Sequence, residues 1–346
     1  MSCCTHIQNQ AIIDPVIEKK KWHPSATNQS PPKSLSQARG DGNSVKLRWR
    51  RGERAPQEIY RESDAVVCGS MIYLIPADNK VYVYDTSPAT KGWSELPNCP
   101  HEWCSLAVIN NILTTVGGGV LIPTNKLFSL VGEGDDRRWI EKFPPMPTKR
   151  SNTTSLSTKT SLVVIGGDRE VFDSLTTVEV MNIETHEWSR AASLYHPVSN
   201  ASAAVCGDRI YVMNRFNTSV YMCYLSALLQ SCCRDSQSRS HLTSTLPPST
   251  KYCVWKRVSD VLVSNTTCVS LNGRLLAVGG NTLSKRPTTA IHEYNSDTDS
   301  WTIIGHMPTA RSYCFAAALP TNQLVVVGGI SFPNVIDIVE IVDFTY

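Results

Sequence analysis

The sequence offers little charge of one sign. Lys and Arg number 33 against 30 Asp and Glu, a net charge of +3, too weak to suggest a nucleic acid or an anionic membrane as partner. No apolar run approaches the ~20 residues that cross a bilayer. A signal-peptide h-region is also missing, because Ala11-Ile12-Ile13 is broken by Asp14 and Pro15. None of the 12 cysteines forms a Cys-x-x-Cys pair, which disfavours a metal site, and with no secretory signal they are expected as free thiols in a cytoplasmic protein. Neither Gly-x-Ser-x-Gly nor a phosphate loop occurs. His101-Glu102-Trp103-Cys104-Ser105 begins like a zinc-protease helix but lacks the second His, and Gly132-Glu133-Gly134-Asp135-Asp136-Arg137 fails a nucleotide fingerprint at its last glycine. No long stretch repeats its apolar residues every 3.6 positions, so an all-helical fold is excluded.

What the chain does contain is a repeated Gly-Gly behind a β-branched run: Gly117-Gly118, Gly166-Gly167, Gly279-Gly280 and Gly328-Gly329. Gly117 and Gly166 are 49 residues apart, as are Gly279 and Gly328. The wider middle gap leaves room for one unit that has lost its glycines. A fixed period of this length means one supersecondary unit copied along the chain. Six tryptophans, Trp49, Trp93, Trp139, Trp188, Trp255 and Trp301, run in phase with it. Between each Gly-Gly and the next Trp lies a short alternating segment such as Val81-Tyr82-Val83-Tyr84 or Thr177-Val178-Glu179-Val180. Alternation bounded by Gly, Asn, Asp and Pro predicts strands and tight turns.

The order apolar strand, Asn/Gly turn, apolar strand, Gly-Gly, alternating strand, Trp and then Met-Pro or Leu-Pro resembles the kelch repeat, a four-stranded blade of a β-propeller. It is clearest from Asn272-Gly273 through Gly279-Gly280 to Trp301 and Met307-Pro308, and from Arg150 through Gly166-Gly167 to Trp188. The resemblance extends from Lys46 to Tyr346. Six turns, at Gly69, Asn111, Thr160, Gly207, Gly273 and Asn322, each begin one repeat. The units around Ile75-Pro76 and Met213-Asn214 read as degenerate blades. The last repeat lacks a Trp, while Trp49 precedes the first repeat. The expectation is therefore an all-β, six-bladed propeller over 46–346, its last blade completed by Leu47-Arg48-Trp49-Arg50, which removes an exposed sheet edge.

Two segments fall outside this scheme. Residues 1–45 are polar, with Lys19-Lys20-Lys21 and Pro31-Pro32, and their composition predicts a disordered tail. The fourth blade carries an insertion of about 226–253, with room for a helical turn at Leu225–Gln230 and otherwise the composition of a mobile loop.

The resemblance implies a non-catalytic interaction scaffold that binds a partner peptide or protein, an acidic peptide among the candidates, through loops on one end of the ring. Those loops enter each inner strand or follow Gly-Gly. They nominate Arg61, Trp103, Arg150, Asn152, Asn265, Arg311 and Tyr313 as partner-binding residues. Arginine grips carboxylates through two parallel bonds, and aromatic neighbours add rigid contact area. The competing reading of Arg150 and Arg311 is that they pair with blade carboxylates and lock the ring. A ubiquitin-ligase substrate receptor or adaptor is a role the resemblance implies; the BTB and linker domains usual there have no counterpart in this sequence. No cofactor, metal or nucleic acid is expected, and the propeller is expected to be monomeric. The alternative is a propeller enzyme acting on a sugar, similar to sialic-acid mutarotases, which would need an acid/base pair in the central channel.

Overall fold

The computed structural model describes residues 46–56, 64–76, 78–87, 92–170, 173–235 and 255–345. The tail 1–45, Arg61 and the 236–254 part of the insertion lie outside them. Among the described residues, six four-stranded antiparallel sheets form the blades. Blade 1 comprises Asp64–Cys68, Met71–Ile75, Val81–Asp85 and Gly92–Leu96; blade 2, Ser105–Ile109, Ile112–Val116, Leu127–Val131 and Arg138–Ile140; blade 3, Thr154–Ser157, Ser161–Ile165, Val178–Asn182 and Trp188–Ala191. Blade 4 comprises Ser202–Cys206, Arg209–Met213, Val220–Tyr224 and Lys256–Val258; blade 5, Thr267–Leu271, Arg274–Val278, Ala290–Asn295 and Ser300–His306. Blade 6 takes Phe315–Ala318, Gln323–Val327 and Ile338–Thr345 from one end of the chain and Lys46–Arg54 from the other. Trp49 pairs with Val342 across that seam. The innermost strands touch in sequence around the ring, and blade 6 returns to blade 1.

The core lies between blades. Each of six apolar clusters joins two neighbours. In Gln323–Val327, Leu324 and Val326 face blade 5 while Val325 and Val327 face blade 1. A strand buried on both faces must read as an unbroken apolar run, which explains why these strands do not alternate. Polar stitches join the innermost strands: Ser105 donates to Asp64 at 3.0 Å, Thr154 to the Ala201 carbonyl at 2.8 Å, and the Cys268 N–H to Ser202 at 2.8 Å.

The repeated tryptophans latch blades together. The indole N–H of Trp139 donates to the Pro97 carbonyl, Trp188 to Pro144, Trp255 to Ala192 and Trp301 to Ser259, all at 2.8–3.0 Å. Each acceptor belongs to the exit of the preceding blade's outer strand. Trp49 and Trp93, on the two blades that meet at the seam, find no acceptor among the described residues.

The insertion begins with more structure than its composition suggested. Helix α1, Leu225–Asp235, replaces the expected single turn. Asp208 accepts from the Ser226 N–H and hydroxyl at its start. Leu225, Leu228, Leu229 and Cys232 lie against the cluster between blades 3 and 4, on one face at helical spacing. Among the described residues, no helix is long and apolar enough to cross a membrane.

Candidate functional site

The loops entering the innermost strands converge at one end of the ring. Trp103, Asn152, Asn200, Asn265 and Tyr313 occupy corresponding positions in blades 2 to 6, all with left-handed backbone at φ 48–56°. Asparagine tolerates this conformation better than most residues, whereas a bulky aromatic there stores strain. Their backbones form a collar: Asn152 N–H donates to the Trp103 carbonyl at 3.0 Å, Asn200 to Asn152 at 2.7 Å, and Tyr313 to Asn265 at 3.0 Å. The series is interrupted in blade 4, where Asn265 N–H donates instead to the carbonyl of Arg215 at 2.8 Å.

The lost Gly-Gly accounts for that interruption. In blade 5, Gly279 and Gly280 adopt φ +64° and +105°, and a Cβ on either would lie 2.5 or 2.6 Å from the carbonyl oxygens of Arg311 and Ser264. Strand alignment places the corresponding residues of blade 4 at Asn214 and Arg215, one residue later than the sequence reading put them, and the first of them in blade 1 at Pro76. Arg215 takes no positive φ. Without glycine the chain does not follow the usual path, and Arg215, only 8% exposed, lines the channel instead.

Beneath the collar is a cavity of about 330 Å³ lined by residues of all six blades, among them Asp64, Trp103, Asn152, Asn200, Arg215 and Tyr313. The Arg215 guanidinium lies 5.9 Å from the centre of the Tyr313 ring, within cation–π range. Burial raises the Asp64 carboxyl above its ordinary value; hydrogen bonds from Leu106, Ser105 and Ala65 and the charge of Arg215 oppose it. A positive group and a carboxyl thus share one enclosed mouth.

Trp103, Asn152 and Tyr313 line this cavity, and Asn265 belongs to the collar, as their loop positions suggested. Arg150 and Arg311 do not face it. Both are fully buried, with Arg150 2.8 Å from Glu179 and Arg311 2.7 Å from Glu340. Arg150 also donates to the Gly166 and Thr177 carbonyls, and Arg311 to those of Gly328 and Ile338. The backbone N–H of each bonds to the blade before, Arg150 to Thr124 and Arg311 to Thr288. They are staples between blades, so the surface role assigned to them from sequence is corrected to the ring-locking one. Both guanidinium groups are 0% exposed, which leaves no access for a ligand, although Arg150 Nε itself finds no acceptor among the described residues. Arg215, Asn200 and Asp64 were missed.

Exposed apolar side chains mark the same end. Leu121 and Ile122, Phe216, Leu283 and Phe332 project from the loops after the second strands, and Tyr195 and Leu262 from loops entering the inner strands. Of the large exposed apolar residues among those described, Ile140, Tyr224 and Ile303 lie elsewhere. Among the described residues no group of three His, Cys, Asp or Glu could hold a metal ion.

This architecture is that of a six-bladed, kelch-type propeller with a polar central mouth. The Kelch motif family matches residues 149–195 and 263–308, so the chain carries kelch repeats there. It is 24% identical over 247 residues to Kelch-like protein 25 of Xenopus tropicalis, covering 68% of this chain and 38% of the relative. Kelch-like protein 23 of Homo sapiens is 24% identical over 282 residues, with 76% and 44% covered. Kelch-like protein 15 of Danio rerio is 26% identical over 264 residues, with 70% and 41% covered. The chain therefore spans about two-fifths of the length of these relatives. A solved structure described as YjhT superposes with a TM-score of 0.64 at 14% identity, over 83% of this chain and 95% of that one; it supports the fold alone.

Proposed function

We propose that this chain is a non-catalytic interaction module that holds a segment of a partner protein across the mouth of the ring. The observation that carries this reading is the gathering of exposed apolar residues at the collar end, around the cavity that Arg215 lines. Isolated surface apolar residues need no explanation, but a ring of them around a polar pocket marks an interaction surface. Arg215 meets a partner carboxylate, Trp103 and Tyr313 give rigid contact area, and Phe216, Leu283 and Phe332 cover flanking apolar side chains. Preformed loops on a locked ring keep the ordering cost of binding small. The buried free thiols suit a cytoplasmic setting. The finer reading is a substrate receptor or adaptor of a ubiquitin ligase, which requires a second contact outside this mouth.

A sugar-converting activity would need an acid/base pair in the channel. Asp64 is the carboxyl in the cavity, and its oxygens accept from Ser105, Leu106 and Ala65; it joins blades 1 and 2. Sialic-acid-type sugars should therefore leave the thermal midpoint unchanged.

The test is crosslinking capture compared across variants. Proteins held by the wild type should be lost with Arg215→Glu and with Phe216→Asp, and kept with Tyr224→Ser at the opposite end. Equal capture by all four proteins, or loss only with Tyr224→Ser, would overturn the assignment of this face.

A further inference from the structure

Each blade ends in an outer strand whose far edge has no neighbouring strand among the described residues. Proteins blunt such edges by keeping them short, and four of the six outer strands have three to five residues, while that of blade 5 has seven. Lys46–Arg54, the outer strand of blade 6, has nine. It carries Lys46, Arg48, Arg50, Arg51 and Arg54 against Glu53 alone, a net +4 (5 − 1), where the whole chain carries +3.

Alternation divides these side chains between the two faces of the strand. Leu47 and Trp49 pack into the cluster between blades 5 and 6. Arg48 and Arg50 stand on the other face, across from Asp343 and Ile341, and Arg51 returns to the first, across from Glu340. Arg48 and Arg51 are exposed and Arg50 is half-buried. Arg54 is 3.2 Å from Asp337, whereas Arg48, Arg50 and Arg51 make no ion pair with another described residue. Positive charge without a counter-charge therefore runs along the longest open edge of the ring.

We propose that this edge accepts an extended, acidic segment of a partner protein as a fifth strand of blade 6. The segment pairs its backbone with the open N–H and C=O groups of Lys46–Arg54. Carboxylates at every second position then lie beside Arg48 and Arg50, while the residues between them continue the face of Leu47 and Trp49. The same charge opposes pairing with a second copy of this strand, whose arginines would come alongside these. A nucleic acid fits less well, because Trp49 is turned into the cluster and offers no ring for a base to stack on. Nothing in this pairing involves the collar or Arg215, so it stands apart from the function proposed for the mouth.

Fluorescence anisotropy with labelled decapeptides and the full chain tests the pairing. The probe alternates Glu with Val; one counterpart alternates Lys with Val, and another Glu with Pro, which keeps the charge but lacks every second N–H. The Glu–Val peptide should bind the wild type roughly tenfold or more tightly than either counterpart. Amide exchange should slow within Lys46–Arg54 when it binds. Arg48→Glu combined with Arg50→Glu should weaken binding roughly tenfold or more, whereas Arg138→Glu, on the outer strand of blade 2, should leave it unchanged. The peptide comparison uses the wild-type chain and decides the matter even where the double variant fails to fold. No binding of the Glu–Val peptide, equal binding of either counterpart, slowed exchange at the collar loops instead, or tighter binding of a single-stranded oligouridylate would each overturn the proposal.

Discussion

Replacing Arg150 with Met separates a staple from a binding residue. The side chain is fully buried and bonded to Glu179 at 2.8 Å and to the Gly166 carbonyl at 2.7 Å. Removing the guanidinium leaves the Glu179 carboxylate equally buried, with only the hydroxyl and backbone N–H of Thr148 as donors. Breaking one side of such a pair costs about 3–5 kcal/mol. With an unfolding entropy of about 2.1 cal/mol/K per residue over ~300 residues, each kcal/mol shifts the midpoint by about 1.6 °C, so Arg150→Met should melt about 5–8 °C lower. Arg150→Met combined with Glu179→Leu removes both charges and should recover to within about 2 kcal/mol of the wild type. Circular dichroism melting of the three proteins and the wild type measures the cycle. An unchanged midpoint in Arg150→Met, or a double variant no better than the single, would refute the staple and return Arg150 to the ligand face.

Three further outcomes follow from the same geometry. Gly280→Ala should destabilise by about 2–4 kcal/mol, since φ +105° and a carbonyl 2.6 Å away both oppose a Cβ, while Gly207→Ala, at φ +60° with open space, should cost only about 1 kcal/mol; urea titration compares them. Deleting residues 46–54 strips blade 6 of its outer strand and uncovers the face packed by Leu47 and Trp49, so the protein should melt lower and self-associate, as scattering during the melt would show. His292 is held below the usual imidazole range by burial first and His306 second. The unfolded chain therefore binds that proton more readily, and the stability this site contributes above about pH 6.5 is lost as pH falls towards its folded value. His292→Phe, the residue that Phe128 supplies at the matching position of blade 2, should flatten the fall in urea midpoint between pH 7.5 and 5.5. An unchanged slope would remove His292 from the account.

The ring was legible because its markers have separate physical jobs. Glycine is forced where a carbonyl passes 2.5 Å from a would-be Cβ, and tryptophan recurs because its N–H reaches the previous blade. The site was less legible. Arg150 and Arg311 stood at loop positions that suggested solvent, but each has a glutamate 29 residues on, Glu179 and Glu340, and that shared spacing was the available sign of an internal pair. Arg215 was hidden by a one-residue slip in aligning the blade without glycines. For α1, the spacing of Leu225, Leu228, Leu229 and Cys232 was in the sequence, outweighed by the polar residues after it.

The strand exchange at blade 6 also sets the order of events in folding. Of the described strands Lys46–Arg54 is synthesised before all the others, yet its partner Ile338–Thr345 follows them all. Five blades can form on the ribosome while the opening strand waits with nothing to pair to. Closing so large a loop is costly in chain entropy but is needed only once. The final step of folding is then the docking of the earliest-made strand of the ring onto the one made last.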